Sequence, residues 1–411
     1  MGPSRLLAVV WALSGLLSAC GAPGTSGLFG MGSSITVLAE LSSKADPSEQ
    51  ARVKAVLRNE IDAFKRINPQ LNIRFRALPT DRLEQELSYR TQRGLGPDLL
   101  LLASNRDLIG LQQKGYISPI ALSVQEQGNF RRSYLEHLRY RGQQLAVPFL
   151  VVPPLACFDR RLLPQSPPTL AAIIRLGQEK HAFGLNSSFD GLDEIASGFG
   201  ITLFPEKKTR SPYQNRVLKA LKWYREANLQ PQISFVDNEE ELRQGLMTGR
   251  FEWVPCSSGW LPTLQKALGT NLGTAVLPAG PKGPAKPVLR MPLWVFGAQS
   301  NPRQRQFAKQ FVLFTTNVVN QRAMALKLGT VLPVNPSIAL PLKAYPTLAI
   351  MDTALKNSTL TTLEQKRFLL KNANQIGALV DQVITGVQSP NAVAPQIQNL
   401  LDGTTTTESH P

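Results

Sequence analysis

The chain has 411 residues, 43% of them apolar and 18% charged, with a formal net charge of +16 at pH 7. These proportions are globular and exclude a disordered or collagen-like chain; the length exceeds what one core supports and predicts two domains. Three cysteines and three histidines exclude a disulfide-dense scaffold and a histidine-built zinc centre, since His137 and His181 have no ligand-spaced neighbours. The basic balance does not point to nucleic acid. Arg131-Arg132, Arg160-Arg161 and Lys207-Lys208 are scattered pairs, with no block of five or six and no weave of basic and aromatic residues.

In chain order the first feature is a leader. Arg5 precedes the apolar run LLAVVWALSGLL, and small residues follow at Ser18-Ala19. The run is shorter than the ~20 apolar residues needed to span a bilayer and reads as a secretory signal. Leu17-Ser18-Ala19-Cys20 resembles the lipobox of bacterial lipoproteins. That resemblance implies removal of residues 1–19, acylation of Cys20, and a protein anchored by lipid to the cell envelope, facing the periplasm or the exterior. Residues 20–34, rich in Gly and Ser, read as a tether.

Structure is predicted from ITVLAEL, a strand. Asp46-Pro47-Ser48-Glu49 then supplies a cap, a first-turn proline and an acid, and Val53, Leu57, Ile61 and Phe64 mark one helical face. LNIRFRAL alternates, with Leu71, Ile73, Phe75 and Ala77 inward and Asn72, Arg74 and Arg76 outward. A helix with Leu83 and Leu87 leads to GLGPD and LLLLA, a strand apolar on both faces, and a short helix ends at Lys114-Gly115. After Pro148 the pattern resumes: LVVPPLACF as a strand, a helix from Leu170 to Lys180, the strand AFGLN, helices over 213–227 and 239–248, and FEWVPC. The segment LPAGPKGPAKP interrupts; LWVFGA restarts a strand, and Phe307, Phe311 and Phe314 lie on the helix after it. The last third is helical with proline breaks, and residues 402–411 form a frayed tail. The alternation of strands and helices predicts an α/β protein with largely parallel sheets.

Enzyme motifs are missing: there is no GxSxG elbow, HExxH, phosphate-binding loop or dinucleotide-binding GxGxxG between strand and helix. No catalytic residue, cofactor or metal is predicted. Outside the cytoplasm Cys157 and Cys256 have two readings, a disulfide or two buried thiols.

Five segments, AFKRINPQLNIRFRAL, GLGPDLLLLASNRDLIGLQQKGYISPI, QLAVPFLVVPPLACFDRRLLPQSPPTL, LMTGRFEWVPCSSGW and LGTVLPVNP, occur in an order that resembles the extracellular solute-binding proteins of bacterial ABC importers, the maltose-binding type known as family 1. The resemblance covers nearly the whole chain after the leader. It implies the two-lobe periplasmic-binding-protein fold (type II-like), with mixed, largely parallel sheets flanked by helices and a ligand cleft between the lobes. The first lobe would comprise 35–148 with 289–334 and the second 149–288 with 335–401. It further implies a monomer that is not an enzyme, with a small-molecule ligand, most naturally a carbohydrate, and an ABC permease as partner. A non-sugar solute such as glycerol phosphate or another anion is the first alternative, and an envelope enzyme the second.

By the same resemblance Trp260 matches a cleft tryptophan, although CSSGW departs from the usual pattern, and Asn105 and Arg106 match a polar pair after the PD strand. Ser42 and Ser43, with Glu40 before them, match the first cleft loop, and Phe189 and Asp190 the place where the second lobe offers an aromatic. The chain departs from the family at Phe158-Asp159, where Tyr-Asn is usual, at Val152-Pro153, where an acid often stands, and at Leu38, where Trp is common. Four tryptophans beyond the leader, Trp223, Trp253, Trp260 and Trp294, give a modest aromatic supply and favour a mono- or disaccharide or small glycoside over a long oligosaccharide. The resemblance also sets Cys157 and Cys256 on strands of one sheet, where neighbouring strands bring Cα atoms within disulfide reach.

Overall fold

A computed structural model describes residues 33–42, 47–103, 106–201 and 210–402, with the backbone alone at 189–190, 210–214 and 402. Strand β1 (Ser34–Leu41) is followed by α1 (Pro47–Ile67), which buries Leu57, Ile61 and Phe64. Val53 stands exposed, because the helix meets the sheet only from Val56 onward. Strand β2 (Asn72–Pro79) pairs parallel with β1 along its whole length, with Ile73 inward and Asn72, Arg74 and Arg76 outward. Helix α2 (Leu83–Gln92) buries Leu83 and Leu87, and β3 (Leu99–Leu102), buried at all four residues, lies parallel to β1 on its other side. Then come α3 (Leu108–Gln113), β4 (Ile117–Ser118), α4 (Val124–Gln127), α5 (Arg132–His137), the hairpin β5 (Arg139–Tyr140) with β6 (Gln143–Gln144), and β7 (Ala146–Pro148).

The single strand expected over LVVPPLACF is two, β8 (Leu150–Val151) and β9 (Pro154–Asp159). Pro153 and Pro154 have no N–H to give a ladder, so the chain bends there and changes sheet. Helix α6 (Leu170–Gln178), β10 (Phe183–Asn186), α7 (Phe189–Ala196), α8 (Arg210–Asn228), β11 (Ile233–Val236), α9 (Glu239–Thr248), β12 (Trp253–Ser257), a 3-10 turn over Ser258–Trp260, α10 (Leu261–Leu268) and β13 (Leu272–Ala275) follow. The chain returns through β14 (Leu293–Gly297), α11 (Pro302–Thr315) and α12 (Val318–Leu328), crosses again at β15 (Leu332–Pro333), and ends in α13 (Pro346–Lys356), α14 (Leu363–Thr385) and α15 (Pro390–Asp402).

The strands form two main sheets, ordered β2-β1-β3-β14-β4, with β7 also on β14, and β11-β10-β12-β9-β13. In each, the strands connected by helices are parallel (β1 with β2 and β3; β10 with β11 and β12), and the strand arriving from the other sheet is antiparallel: β14 in the first, β9 in the second. The crossing strands β8 and β15 pair with each other between the sheets. Cys157 and Cys256 form a disulfide between β9 and β12, Cα to Cα 5.8 Å. The first sheet's core is tied to its helices by the rings of Phe64, Phe311 and Trp294, with Phe64–Phe311 centroids 5.3 Å apart and Trp294–Phe311 5.7 Å. Under the second sheet Trp223, Trp253 and Phe183 are buried with the inner faces of α8, α14 and α15. Among the described residues no helix is long and apolar enough to cross a membrane.

Candidate functional site: the strand ends between the two sheets

Parallel strands linked by helices bring their carboxyl ends, and the helices' N-termini, to one edge of each sheet, which is where open α/β sheets hold ligands. Here the two edges meet. Helix α1, which follows β1, touches α9 and α10, which flank β12, while α3, which follows β3, touches α14.

On the first sheet's edge Glu40 is the organising residue. Its carboxylate, 2% exposed, accepts hydrogen bonds from the Ala103 N–H (2.9 Å), the Thr80 hydroxyl (3.0 Å) and the Arg106 Nε (2.9 Å). Arg106 also donates to the Thr80 carbonyl at 2.8 Å. One acid thus joins the ends of β1, β2 and β3, and one guanidinium closes the group. Two of the residues singled out in the sequence, Glu40 and Arg106, bind each other. Ser42 is exposed, and its carbonyl accepts from the Gln50 side chain at 3.1 Å. Asp107 caps α3 by accepting from the Gly110 N–H at 2.9 Å and faces Arg367 of α14 at 3.6 Å. Ser43, Asn105 and Cys20 lie outside the described residues, as do the side chains of Phe189 and Asp190 where α7 begins.

On the second sheet's edge β10 ends at Asn186, whose side-chain oxygen accepts from the Ser188 N–H at 2.9 Å. Strand β12 ends at Ser257, whose hydroxyl accepts from the Gly259 N–H at 3.2 Å, and Ser258 donates to the Thr330 carbonyl at 2.8 Å. Trp260 closes this turn with its ring 4% exposed and the Arg243 guanidinium 5.9 Å from the ring centre. The other described tryptophans are buried as well, Trp223 at 7%, Trp253 at 2% and Trp294 at 0%. The aromatic supply expected from the sequence is therefore packed into cores and seams, since a ring of that size gains most by leaving water.

Sequence reasoning missed several charged groups at this edge. Arg243 of α9 is 1% exposed and lies between Glu240 of its own helix and Glu49 of α1, 3.5 Å away. Arg290, beside the crossing at Val152, lies between Glu194 (3.3 Å) and Glu239 (3.6 Å). An arginine within EEELRQGL reads locally as a solvated helical residue; no short-range signal distinguishes Arg243 from one. Four of the described guanidinium groups at the two edges, those of Arg106, Arg243, Arg290 and Arg367, each face a carboxylate, while that of Arg52 on α1 donates to the Ser48 and Thr263 hydroxyls. Such an array offers fixed donors and acceptors to hydroxyl groups. Among the described residues no three histidine, cysteine or carboxylate side chains gather in metal-binding geometry.

The sequence profile of the family described as bacterial extracellular solute-binding protein matches residues 60–353, well over half of the chain. The chain belongs to this family. No curated protein sequence matches it. Among solved structures the solute-binding chain resembles the GacH receptor of Streptomyces glaucescens, studied unliganded and with acarbose, at 15% identity and a TM-score of 0.76 over 91% of this chain and 99% of that one. It resembles the maltose-binding periplasmic protein MalE from Listeria monocytogenes, in complex with maltose, at 14% identity and a TM-score of 0.71 over 92% and 100% of the two chains. A solute-binding protein of an ABC transporter from Thermotoga lettingae, bound to alpha-D-tagatose, has a TM-score of 0.69 at 14% identity over 90% and 100%. At such identities the likeness establishes the fold, and the fold of this solute-binding protein is the two-lobe α/β arrangement with sheets flanked by helices.

Proposed function

We propose that this solute-binding protein captures a sugar or small glycoside outside the cytoplasmic membrane and hands it to the permease of an ABC importer, without transforming it. The observation that carries the ligand class is the pairing at the strand ends. Arg106, Arg243, Arg290 and Arg367 there are each matched by a carboxylate and Arg52 by two hydroxyls, an arrangement suited to neutral hydroxyl groups and poorly suited to an anion. The sugar ligands of the structural relatives support the same class.

In this reading the first lobe is 35–148 with 289–334 and the second 149–288 with 335–401, and the cleft between them closes around the ligand. Glu40 and Arg106 form its floor in the first lobe, where Ser42, Ser43 and Asn105 are further ligand candidates; Phe189, Asp190 and Trp260 serve from the second, Trp260 becoming reachable as the lobes part. Residues 1–19 are a leader, Cys20 carries the lipid that holds the protein near its permease, and the working form is a monomer.

The test is a calorimetric and thermal-shift panel of maltose, acarbose, tagatose, other mono- and disaccharides, and glycerol 3-phosphate. A sugar at a hundredfold excess over its Kd raises apparent stability by about 2.7 kcal/mol, a shift of several degrees. Binding of glycerol 3-phosphate alone overturns the sugar reading, and turnover of a bound sugar overturns the transport reading.

A further inference from the structure

The two lobes touch through side chains of α1, α9 and α10 beside the Trp260 turn. Glu49 stands in the first turn of α1, where the helix dipole favours a carboxylate, and reaches Arg243 of α9 in the other lobe at 3.5 Å. Beside this pair the Arg52 guanidinium donates to the Thr263 hydroxyl at 3.3 Å and to the Ser48 hydroxyl at 3.1 Å, and the Ser48 and Thr263 hydroxyls are 3.4 Å apart. The approach is close enough to constrain the opposite backbone. A Cβ added at Gly259 would lie 2.8 Å from a Glu49 carboxylate oxygen.

We propose that Glu49 and Arg243, with the Ser48–Arg52–Thr263 contacts beside them, form a latch that holds the lobes together in the absence of ligand. The energetics favour this role. Arg243 is 1% exposed with the lobes together, so its charge interacts with Glu49 under weak solvent screening. When α1 swings away, Arg243 keeps Glu240, three residues before it on its own helix, and loses the partner from the other lobe. Opening therefore breaks the Glu49–Arg243 pair and the Thr263 contacts and hydrates the seam without unfolding either lobe. A latch of this kind raises the closed fraction of the protein and slows ligand escape, since the lobes must part before the Trp260 turn is reachable. The inference rests on the two lobes moving apart, and not on the ligand being a sugar.

The test reads lobe separation directly. Spin labels are placed at Arg58→Cys on α1 and Lys266→Cys on α10, both exposed and outside the latch, and their distance distribution is measured by pulsed electron resonance on the ligand-free chain. The parent is expected to show a dominant short distance. Glu49→Ala is expected to lower the ratio of closed to open protein by about tenfold or more, and Thr263→Val by less. Glu49→Ala with the parent's distance distribution and melting temperature overturns the latch, and so does a parent that is already open. If Glu49→Ala yields no folded protein, Thr263→Val decides by the same readout. Failure of every sugar to bind leaves this measurement intact, so loss of the ligand reading and loss of the latch are separate outcomes.

Discussion

Cys157 and Cys256 are bonded across β9 and β12 although neither stands opposite the other: Cys157 is level with Val254, and Cys256 with Leu155. They are diagonal neighbours on one face of an antiparallel pair, a spacing that places their Cα atoms 5.8 Å apart. The bond lies one residue before the Ser257–Trp260 turn, so it fixes the strand end that faces the other lobe.

Removing it is expected to be costly. The cysteines are 99 positions apart, and closing a loop of that length removes denatured-state entropy worth about 4–5 kcal/mol. The double variant Cys157→Ala/Cys256→Ala should lose stability on that scale in urea titration, and the denatured, unreduced parent should show no thiol at either position. Two labelled thiols there would show that the mature protein does not carry the bond.

Glu40 should matter to fold and ligand together. Glu40→Ala leaves the Ala103 N–H, the Thr80 hydroxyl and the Arg106 guanidinium without their common acceptor. Because Arg106 retains some exposure, water recovers part of the loss, and a decrease of about 2–3 kcal/mol is expected in chemical denaturation. Sugar affinity should drop at least tenfold in the same protein. Undiminished affinity would remove this group from the cleft floor.

Truncating Trp260 carries a heavier structural penalty than its place after a strand end suggests. With the ring 4% exposed, Trp260→Ala is expected to destabilise by about 3–5 kcal/mol. Trp260→Phe should keep most of that stability while reducing sugar affinity, which calorimetry measures. If Trp260→Phe binds sugar as the parent does, the indole serves packing alone.

Acid should act through Asp159. Hydrogen bonding to the Arg161 guanidinium, opposed by burial, holds this carboxyl below its ordinary value. A depressed folded value means the stabilisation is present at neutral pH, begins to fade as pH falls past the unfolded value near 4, and is gone below the folded one. Asp159→Asn should therefore be less stable than the parent at pH 7, by about 1–2 kcal/mol. The gap should narrow toward pH 3, as read from urea midpoints. Asp98, whose carboxyl burial pushes upward, drives the opposite slope in both proteins and cancels from the comparison. A gap that stays constant from pH 7 to pH 3 would mean that the Arg161 contact does not set the titration of Asp159.

Local sequence determined the elements wherever one face of a segment is apolar. Leu57, Ile61 and Phe64 on α1, the alternation through Ile73, and the uninterrupted LLLL of β3 each state their own burial, because helix and strand periods turn spacing directly into a face. The order of the segments likewise sufficed to bring the two-lobe solute-binding fold into view. The tertiary structure decided what depends on pairs remote in the chain. No spacing within EEELRQGL shows that Arg243 is enclosed, because what encloses it is the other lobe's Glu49 and the Trp260 turn. The tight pairing of Glu40 with Arg106, the burial of the four described tryptophans and the diagonal seating of Cys157 and Cys256 are of the same kind. A side chain's residue type sets what it can bind, but its desolvation and its partner are set by the surface that arrives from elsewhere in the chain, and that surface exists only once the two sheets are folded and their strand ends meet.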